Sequence, residues 1–264
     1  MIVGLILRNY KNFKNQHYIP ITLDGNSSWL IGDNGVGKST ILQAIDTVLN
    51  QNDIKKLDIN NEARAQGLET REPFIVPIFL LKKSIIRSSL NIYRILEVVS
   101  NTTWQIELDD FNPSQRALAD KFISQRKNLE KIYSEKEYFL FPIGIIKGGA
   151  NESPTPYMSF FSSIDDYKND IQELNIFSTS SKRLSLASSL YLMLDYVKEI
   201  YNYIYLPAEI TVNEYSKIES DLLQKLLGEN LQQKIKRIIR QKDITEINRH
   251  LNNFIDEVSV KLDG

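Results

Sequence analysis

The chain has 264 residues, 42% hydrophobic and 25% charged, enough for one large α/β domain or two small ones with a real core. Its formal net charge is −1, so no global field draws it to nucleic acid or membrane, and any such attraction has to be local. It has no cysteine and only two histidines, His17 and His250, which excludes disulfides, thiolate metal sites, a thiol nucleophile and a histidine-rich metal centre. The apolar start, residues 1–8, is too short for a signal peptide, and no apolar run is long enough to cross a bilayer. A cytoplasmic protein without a membrane partner is expected.

Residues 2–7 predict a strand, followed by the polar and aromatic link Arg8-Asn9-Tyr10-Lys11-Asn12-Phe13-Lys14. A second strand is predicted over 18–23, with Asp24-Gly25-Asn26 as a turn. The apolar run Ser28-Trp29-Leu30-Ile31 predicts a short buried strand. Directly after it, Gly32-Asp33-Asn34-Gly35-Val36-Gly37-Lys38-Ser39 is a complete G-x-x-x-x-G-K-[ST] phosphate-binding loop. A helix follows over 40–49, with Ile41, Leu42, Ile45, Val48 and Leu49 on one face. The chemistry needs this order. Glycines let successive N–H groups turn inward toward phosphate oxygens, and a helix N-terminus adds partial positive charge. The nucleotide-binding set is therefore Gly32, Asn34, Gly35, Val36, Gly37, Lys38, Ser39 and Thr40. Lys38 is assigned to the β- and γ-phosphates of ATP and the Ser39 hydroxyl to Mg2+.

Residues 74–81, 91–99 and 103–108 are rich in β-branched and aromatic side chains and read as strands of an antiparallel or mixed sheet. Pro73 and Pro77 make the first of these an edge strand, or one that begins late. Residues 112–137 read as a partly exposed helix with Leu118, Phe122, Leu129 and Ile132 at helical spacing. Residues 143–155, with Gly144, Gly148 and Gly149 and with Pro154 close to Pro156, read as a loop. A strong apolar helix is expected over 184–201, then a buried strand over 203–206 stopped by Pro207. Helices over 213–227 and 229–261 complete the chain. Ile244, Ile247, Leu251, Ile255, Val258 and Leu262 form a stripe that either packs on the preceding domain or begins a coiled-coil arm. The division expected is 1–210 for the nucleotide-binding lobe and 211–264 for a helical segment.

Two antiparallel strands ahead of the loop, the element Asn9-Tyr10-Lys11-Asn12-Phe13, and Gly32, Asn34, Gly35, Gly37, Lys38, Ser39, Thr40, Leu42, Ala44 and Ile45 together resemble the start of ATP-binding-cassette ATPases of the SMC/RecF group. The resemblance implies an α/β P-loop NTPase head. Its mixed sheet carries an antiparallel β subdomain, and its C-terminal helices lead toward a coiled-coil arm. It implies that Lys11 and Asn12 lie beside the nucleotide; Lys11 and Lys14 read equally well as solvated surface lysines. A second, shorter element, Tyr205-Leu206-Pro207-Ala208-Glu209, resembles OLD-like and Lamassu-type antiphage relatives of that group. Glu209 then faces nucleotide or caps the next helix.

The sequence has no Walker B strand of four apolar residues followed by Asp-Glu, and no serine/glycine-rich signature motif, so no catalytic residue is named. Leu190-Tyr191-Leu192-Met193-Leu194-Asp195 imitates the first, but Tyr196 stands where Glu is needed and the composition favours helix. Ser185-Leu186-Ala187-Ser188-Ser189 lacks the glycine and glutamine of the second. Both histidines are expected to be exposed, His17 in a turn and His250 on a polar helix face. Lys234, Lys236, Arg237, Arg240 and Lys242 form an acid-free basic run opposite Ile235, Ile238 and Ile239; it is a contact for DNA phosphates or a solvated helix face. Arg126, Lys127 and Lys131 are weaker candidates for the same role.

The resemblance thus implies the N-terminal half of a head that pairs with its own C-terminal half and with a second, identical head. ATP would bring heads together, DNA would tune the cycle, and a nuclease effector and accessory subunit would belong to a defence role. The alternatives are a RecF-like repair ATPase and a nucleotide-binding scaffold that never hydrolyses.

Overall fold

The computed structural model describes residues 1–24, 28–50, 57–66, 72–86, 90–147, 153–158, 185–201 and 203–205. The chain divides into Met1–Tyr205 and Leu206–Gly264. The expected helices over 213–227 and 229–261, their apolar stripe, Glu209, His250 and the basic run Lys234 to Lys242 all lie outside the described residues.

Among the described residues six strands form one sheet: β1 (Ile2–Tyr10), β2 (Phe13–Pro20), β3 (Phe74–Lys82), β4 (Tyr138–Pro142), β5 (Gly144–Ile146) and β6 (Thr155–Tyr157). The order is β2-β1-β3-β5-β6, with β4 also beside β3. Among the described residues every pairing is antiparallel. Five α-helices among the described residues accompany the sheet: α1 (Lys38–Leu49), α2 (Asn61–Ala65), α3 (Leu90–Gln105), α4 (Arg116–Glu130) and α5 (Leu186–Ile200).

β3 is the spine. Phe74 through Leu81 are all buried, and because successive strand side chains point to opposite faces, both faces of the sheet are covered here. The edge-strand reading of 74–81 is therefore wrong: β3 has β1 on one side and β4 with β5 on the other. Pro77 is tolerated because of where its missing N–H falls. Its carbonyl accepts from Ile143 N at 3.2 Å, at the break between β4 and β5, and a residue's N–H and C=O face the same side of an antiparallel ladder. Gly144 opens β5 at a close approach, since a Cβ there would lie 2.0 Å from the Ile75 carbonyl oxygen. The loop expected over 143–155 is thus a strand as far as Ile146, and residues 148–152 lie outside the description.

The strands expected over 91–99 and 103–108 are instead the single helix α3, followed by a 3-10 turn at Leu108–Asp110. Its buried residues are Ile92, Ile95, Leu96, Val99, Ser100, Thr103 and Trp104, which recur every three or four positions. Helical periodicity outweighed β-rich composition. The helix covers the free edge of β4: Leu140 N donates to Ser100 Oγ at 2.9 Å and Trp104 Nε1 to the Tyr138 carbonyl at 3.4 Å.

α4 is shorter than the 112–137 expected and leaves Ile132 exposed beyond its end. It buries Phe122 edge-on against Tyr18 of β2, whose hydroxyl donates to Gln125 Oε1. Burial pushes the Tyr18 phenol far up. Arg126 is no DNA contact. It is 2% exposed, donates to the Ile106 carbonyl and to Glu107 Oε1 at 2.8 Å, and lies 3.2 Å from Glu130. A buried guanidinium needs this many partners to offset its lost hydration. Lys127 and Lys131 remain at the surface.

Three apolar or histidine readings also change. Residues 28–31 form no strand, and Trp29 and Ile31 are 84% and 91% exposed. Among the described residues no strand hydrogen-bonds alongside them, and a strand exists only where its backbone groups find a ladder. Residues 203–205 are likewise irregular. His17 sits on β2 rather than in a turn, half-buried, with its ring edge-on to Phe13 and Nε2 2.6 Å from the Lys14 carbonyl.

Gly144→Ala is expected to lower stability by about 2–3 kcal/mol, because backbone atoms of Ile75 and Val76 cannot yield as a flexible side chain can. A urea melt with an unchanged midpoint would contradict this account of the β3–β5 contact.

Candidate functional site

The phosphate-binding loop ends in a helix built to leave its N-terminus open. α1 begins at Lys38, its N-cap Gly37 takes φ 99°, and no side chain caps it. The first backbone bond of the helix is Ile41 N to the Gly37 carbonyl at 3.1 Å. The preceding first-turn N–H groups have no intrahelical acceptor and carry the positive end of the helix dipole. Gly35 has φ 85°, so both glycines adopt a left-handed conformation costly to any other residue.

The Lys38 ammonium turns into the loop. Nζ donates to the Gly32 carbonyl at 2.5 Å and to that of Asp33 at 2.7 Å. Asn34, Gly35, Val36 and Ser39 are exposed around it. Thr40, by contrast, is buried.

The β1–β2 turn is pressed against this loop. Asn12 Nδ2 donates to the Gly35 carbonyl at 3.1 Å. The Phe13 ring lies where a Cβ on Gly37 would be, at 3.1 Å. Asn9, Lys11 and Asn15 have φ of 49°, 46° and 62°, and a bulge falls between Arg8 and Tyr10. Asparagine visits this region readily; lysine does so at a cost of about 1–2 kcal/mol. The neighbours over-determine it. Lys11 N donates to the Asp58 carbonyl at 3.2 Å, Asn60 Nδ2 to the Lys11 carbonyl at 2.5 Å, and Asn60 N to the Asn9 carbonyl at 2.9 Å. Asn60 also caps α2 through Ala63 N.

Lys11 and Lys14 are not simply solvated. Lys11 Nζ donates to Gln43 Oε1 on α1 at 2.9 Å and lies 3.6 Å from Asp58, while Lys14 Nζ is 3.2 Å from Glu62. Gln43 Nε2 in turn donates to the Tyr205 hydroxyl at 3.3 Å. The Tyr203 hydroxyl donates to the Leu42 carbonyl at 3.1 Å, and its backbone carbonyl accepts from Asn50 Nδ2 at 2.9 Å. Burial, with Asp46 and Tyr205 nearby, pushes the Tyr203 phenol up to about 12, so it stays a donor. Tyr10 reaches α1 from the other flank, its hydroxyl 3.5 Å from Thr47 Oγ1.

The two weak motif imitations resolve structurally. Asp195 is an exposed residue inside α5, and Ser185 is that helix's N-cap, accepting from Ser188 N at 3.1 Å.

A family model of the AAA ATPase domain matches residues 1–264. The chain belongs to that family. No curated protein matches it. It is accordingly a P-loop nucleotide-binding ATPase domain, of α/β composition with an antiparallel sheet. The residues of this AAA ATPase domain fit ATP with Mg2+: an uncapped helix N-terminus, two left-handed glycines, a lysine in the loop and an exposed Ser39 hydroxyl. ATP with Mg2+ brings a phosphoanhydride whose charge the metal partly neutralises. Lys38, which here meets two neutral carbonyls, would hold phosphate oxygens of that group, and Asn12 would keep the Gly35 carbonyl in place.

Phe13, Gln43, Asn60, Tyr203 and Tyr205 were not legible as site residues in the sequence. The one available signal was the asparagine-rich stretch Asn9, Asn12, Asn15, which marks positive φ.

Asn12→Ala is expected to weaken ATP binding about three- to tenfold, the worth of one net hydrogen bond, with little change in melting temperature. Calorimetric titration showing wild-type affinity would mean that Asn12 does not hold the loop.

Proposed function

We propose that this AAA ATPase domain is the ATP-binding N-terminal half of an SMC/RecF-type head, in which ATP with Mg2+ drives association with a second, identical head. The observation that carries the reading is the Lys38 ammonium folded among the loop carbonyls at an uncapped helix N-terminus, with the β1–β2 turn packed on the loop. The exposed apolar segment at Trp29 and Ile31, directly before the loop, supports completion by a strand from a C-terminal half. That half would also supply the carboxylate that orients water, since the sequence has no Walker B Asp-Glu pair.

In the finer reading, the cytoplasmic head is coupled to DNA through the basic run Lys234, Lys236, Arg237, Arg240 and Lys242. It serves antiphage defence beside a nuclease effector and an accessory subunit. Support for defence is the element Tyr205-Leu206-Pro207-Ala208-Glu209, and support for DNA is the acid-free run of charge. Among the described residues no helix is long and apolar enough to cross a membrane.

Lys38→Ala is expected to abolish ATP binding while leaving the circular-dichroism melt unchanged; retained affinity would sink the loop assignment. The chain alone should bind ATP with almost no turnover, and turnover should become sensitive to duplex DNA once a Walker B half is present in the same polypeptide. Steady-state hydrolysis by the chain alone would overturn the half-head reading.

A further inference from the structure

Gln43 hydrogen-bonds in two directions across the nucleotide-binding helix. Its Oε1 accepts from Lys11 Nζ at 2.9 Å, and its Nε2 donates to the Tyr205 hydroxyl at 3.3 Å. Lys11 is one residue from Asn12, which holds the loop carbonyl of Gly35. Tyr205 ends the described part of the chain and leads into residues 206–264. One side-chain amide therefore joins the turn beside the phosphate-binding loop to the segment that leaves the domain.

We propose that Gln43 is a positioning residue linking Lys11 to Tyr205, so that phosphate in the loop and the segment 203–205 draw on the same hydrogen-bond chain. The inference rests on the ATP-binding reading above and adds to it how occupancy is passed on.

Three observations carry it. The Lys11 backbone is fixed in a left-handed conformation by Asp58 and Asn60, so its side chain is the part free to move. Among the described residues its ammonium meets a neutral amide oxygen, Asp58 at 3.6 Å, whose own side chain is 72% exposed, and the Tyr10 ring at 5.6 Å. A polyphosphate outcompetes the first two, because charge-assisted hydrogen bonds are about twice as strong as neutral ones and an exposed ion pair contributes little. Once Lys11 turns to phosphate, Gln43 Oε1 loses its donor and the amide can rotate. The bond to Tyr205, already long at 3.3 Å, then loses the anchor that oriented the amide from its other end and is released. Tyr203 keeps its own bonds to Leu42 and Asn50, so release is confined to the end of the segment nearest residue 206.

The test is amide hydrogen exchange at Ile204 and Tyr205 in the full chain, with and without saturating ATP and Mg2+, beside an ATP titration. In the wild type, ATP is expected to speed exchange there at least about fivefold, the lower end of ordinary coupling between sites. Gln43→Leu should exchange fast without nucleotide and show no response to it. Gln43→Glu should hold Lys11 ionically and bind ATP about tenfold more weakly than Gln43→Leu, with the gap closing in high salt. A merely structural glutamine would not make the two variants differ in this direction. Tyr205→Phe, which removes only the acceptor, gives the same exchange test if the Gln43 variants do not fold. ATP that binds the wild type without changing exchange overturns the relay and leaves the loop assignment standing. Equal ATP affinity of Gln43→Leu and Gln43→Glu, or an intact ATP response in Tyr205→Phe, also overturns it. A wild-type chain that binds no ATP removes both.

Discussion

The contact between Phe13 and Gly37 sets the geometry of the site. A Cβ on Gly37 would stand 3.1 Å from ring carbons of Phe13, so any larger residue at the last turn before α1 would have to push the ring back by a few tenths of an ångström. Gly37 also needs φ 99°, which glycine alone takes without cost. Two independent demands, steric and conformational, thus meet at one position. The consequence is mechanical: the start of α1 lies close against the Phe13 ring of the β1–β2 turn. Asn12 repeats the constraint one step earlier, through the Gly35 carbonyl. The phosphate-binding loop is therefore braced by the antiparallel sheet, and its conformation is inherited from β1 and β2 as much as from its own glycines.

That dependence explains why the turn carries strain. Three non-glycine residues with positive φ lie within seven positions of one another, Asn9, Lys11 and Asn15. Such strain persists only where the surroundings over-determine it. Here Asn60 does most of that, bonding the Lys11 and Asn9 carbonyls while capping α2. Asn15 N adds a bond to Asn9 Oδ1 at 2.7 Å, closing the turn on itself. The return is placement: the bulge turns Tyr10 toward Thr47 on α1 and leaves Lys11 within reach of Gln43.

The loop, its helix and β1 were legible in the sequence because each has a strong local cause, whereas β2 runs Phe13–Pro20 rather than the expected 18–23. Glycine spacing, an apolar face repeating at 3.6 residues and a short apolar run do not need the rest of the fold. α3 was misread because its composition, with Ile, Tyr, Val and Thr, suggests strand, although Ile92, Ile95, Leu96, Val99 and Trp104 already carried a helical period. Pro77 misled for a different reason. A proline rules out a central strand only if its missing N–H faces an intact ladder, and the break between β4 and β5 is a tertiary fact that no local rule contains. The roles of Gln43, Asn60 and Tyr205 were hidden in the same way, since each joins positions far apart in the chain.

Residues 28–31 show where local and tertiary demands part. Their composition specifies a buried strand, yet burial within the sheet requires a neighbour with free backbone groups, and β1 and β3 already have strands on both sides. The segment cannot join that sheet at its centre, and Trp29 and Ile31 stay in solvent. Exposing a tryptophan and an isoleucine forgoes roughly 1.5–3 kcal/mol for each side chain. A loop directly after such a segment has one end braced by Phe13 and Asn12 and the other attached to a stretch with no ladder of its own. The order of the phosphate-binding loop then comes chiefly from the α1 side, which is where Gly37, Lys38 and the uncapped helix lie.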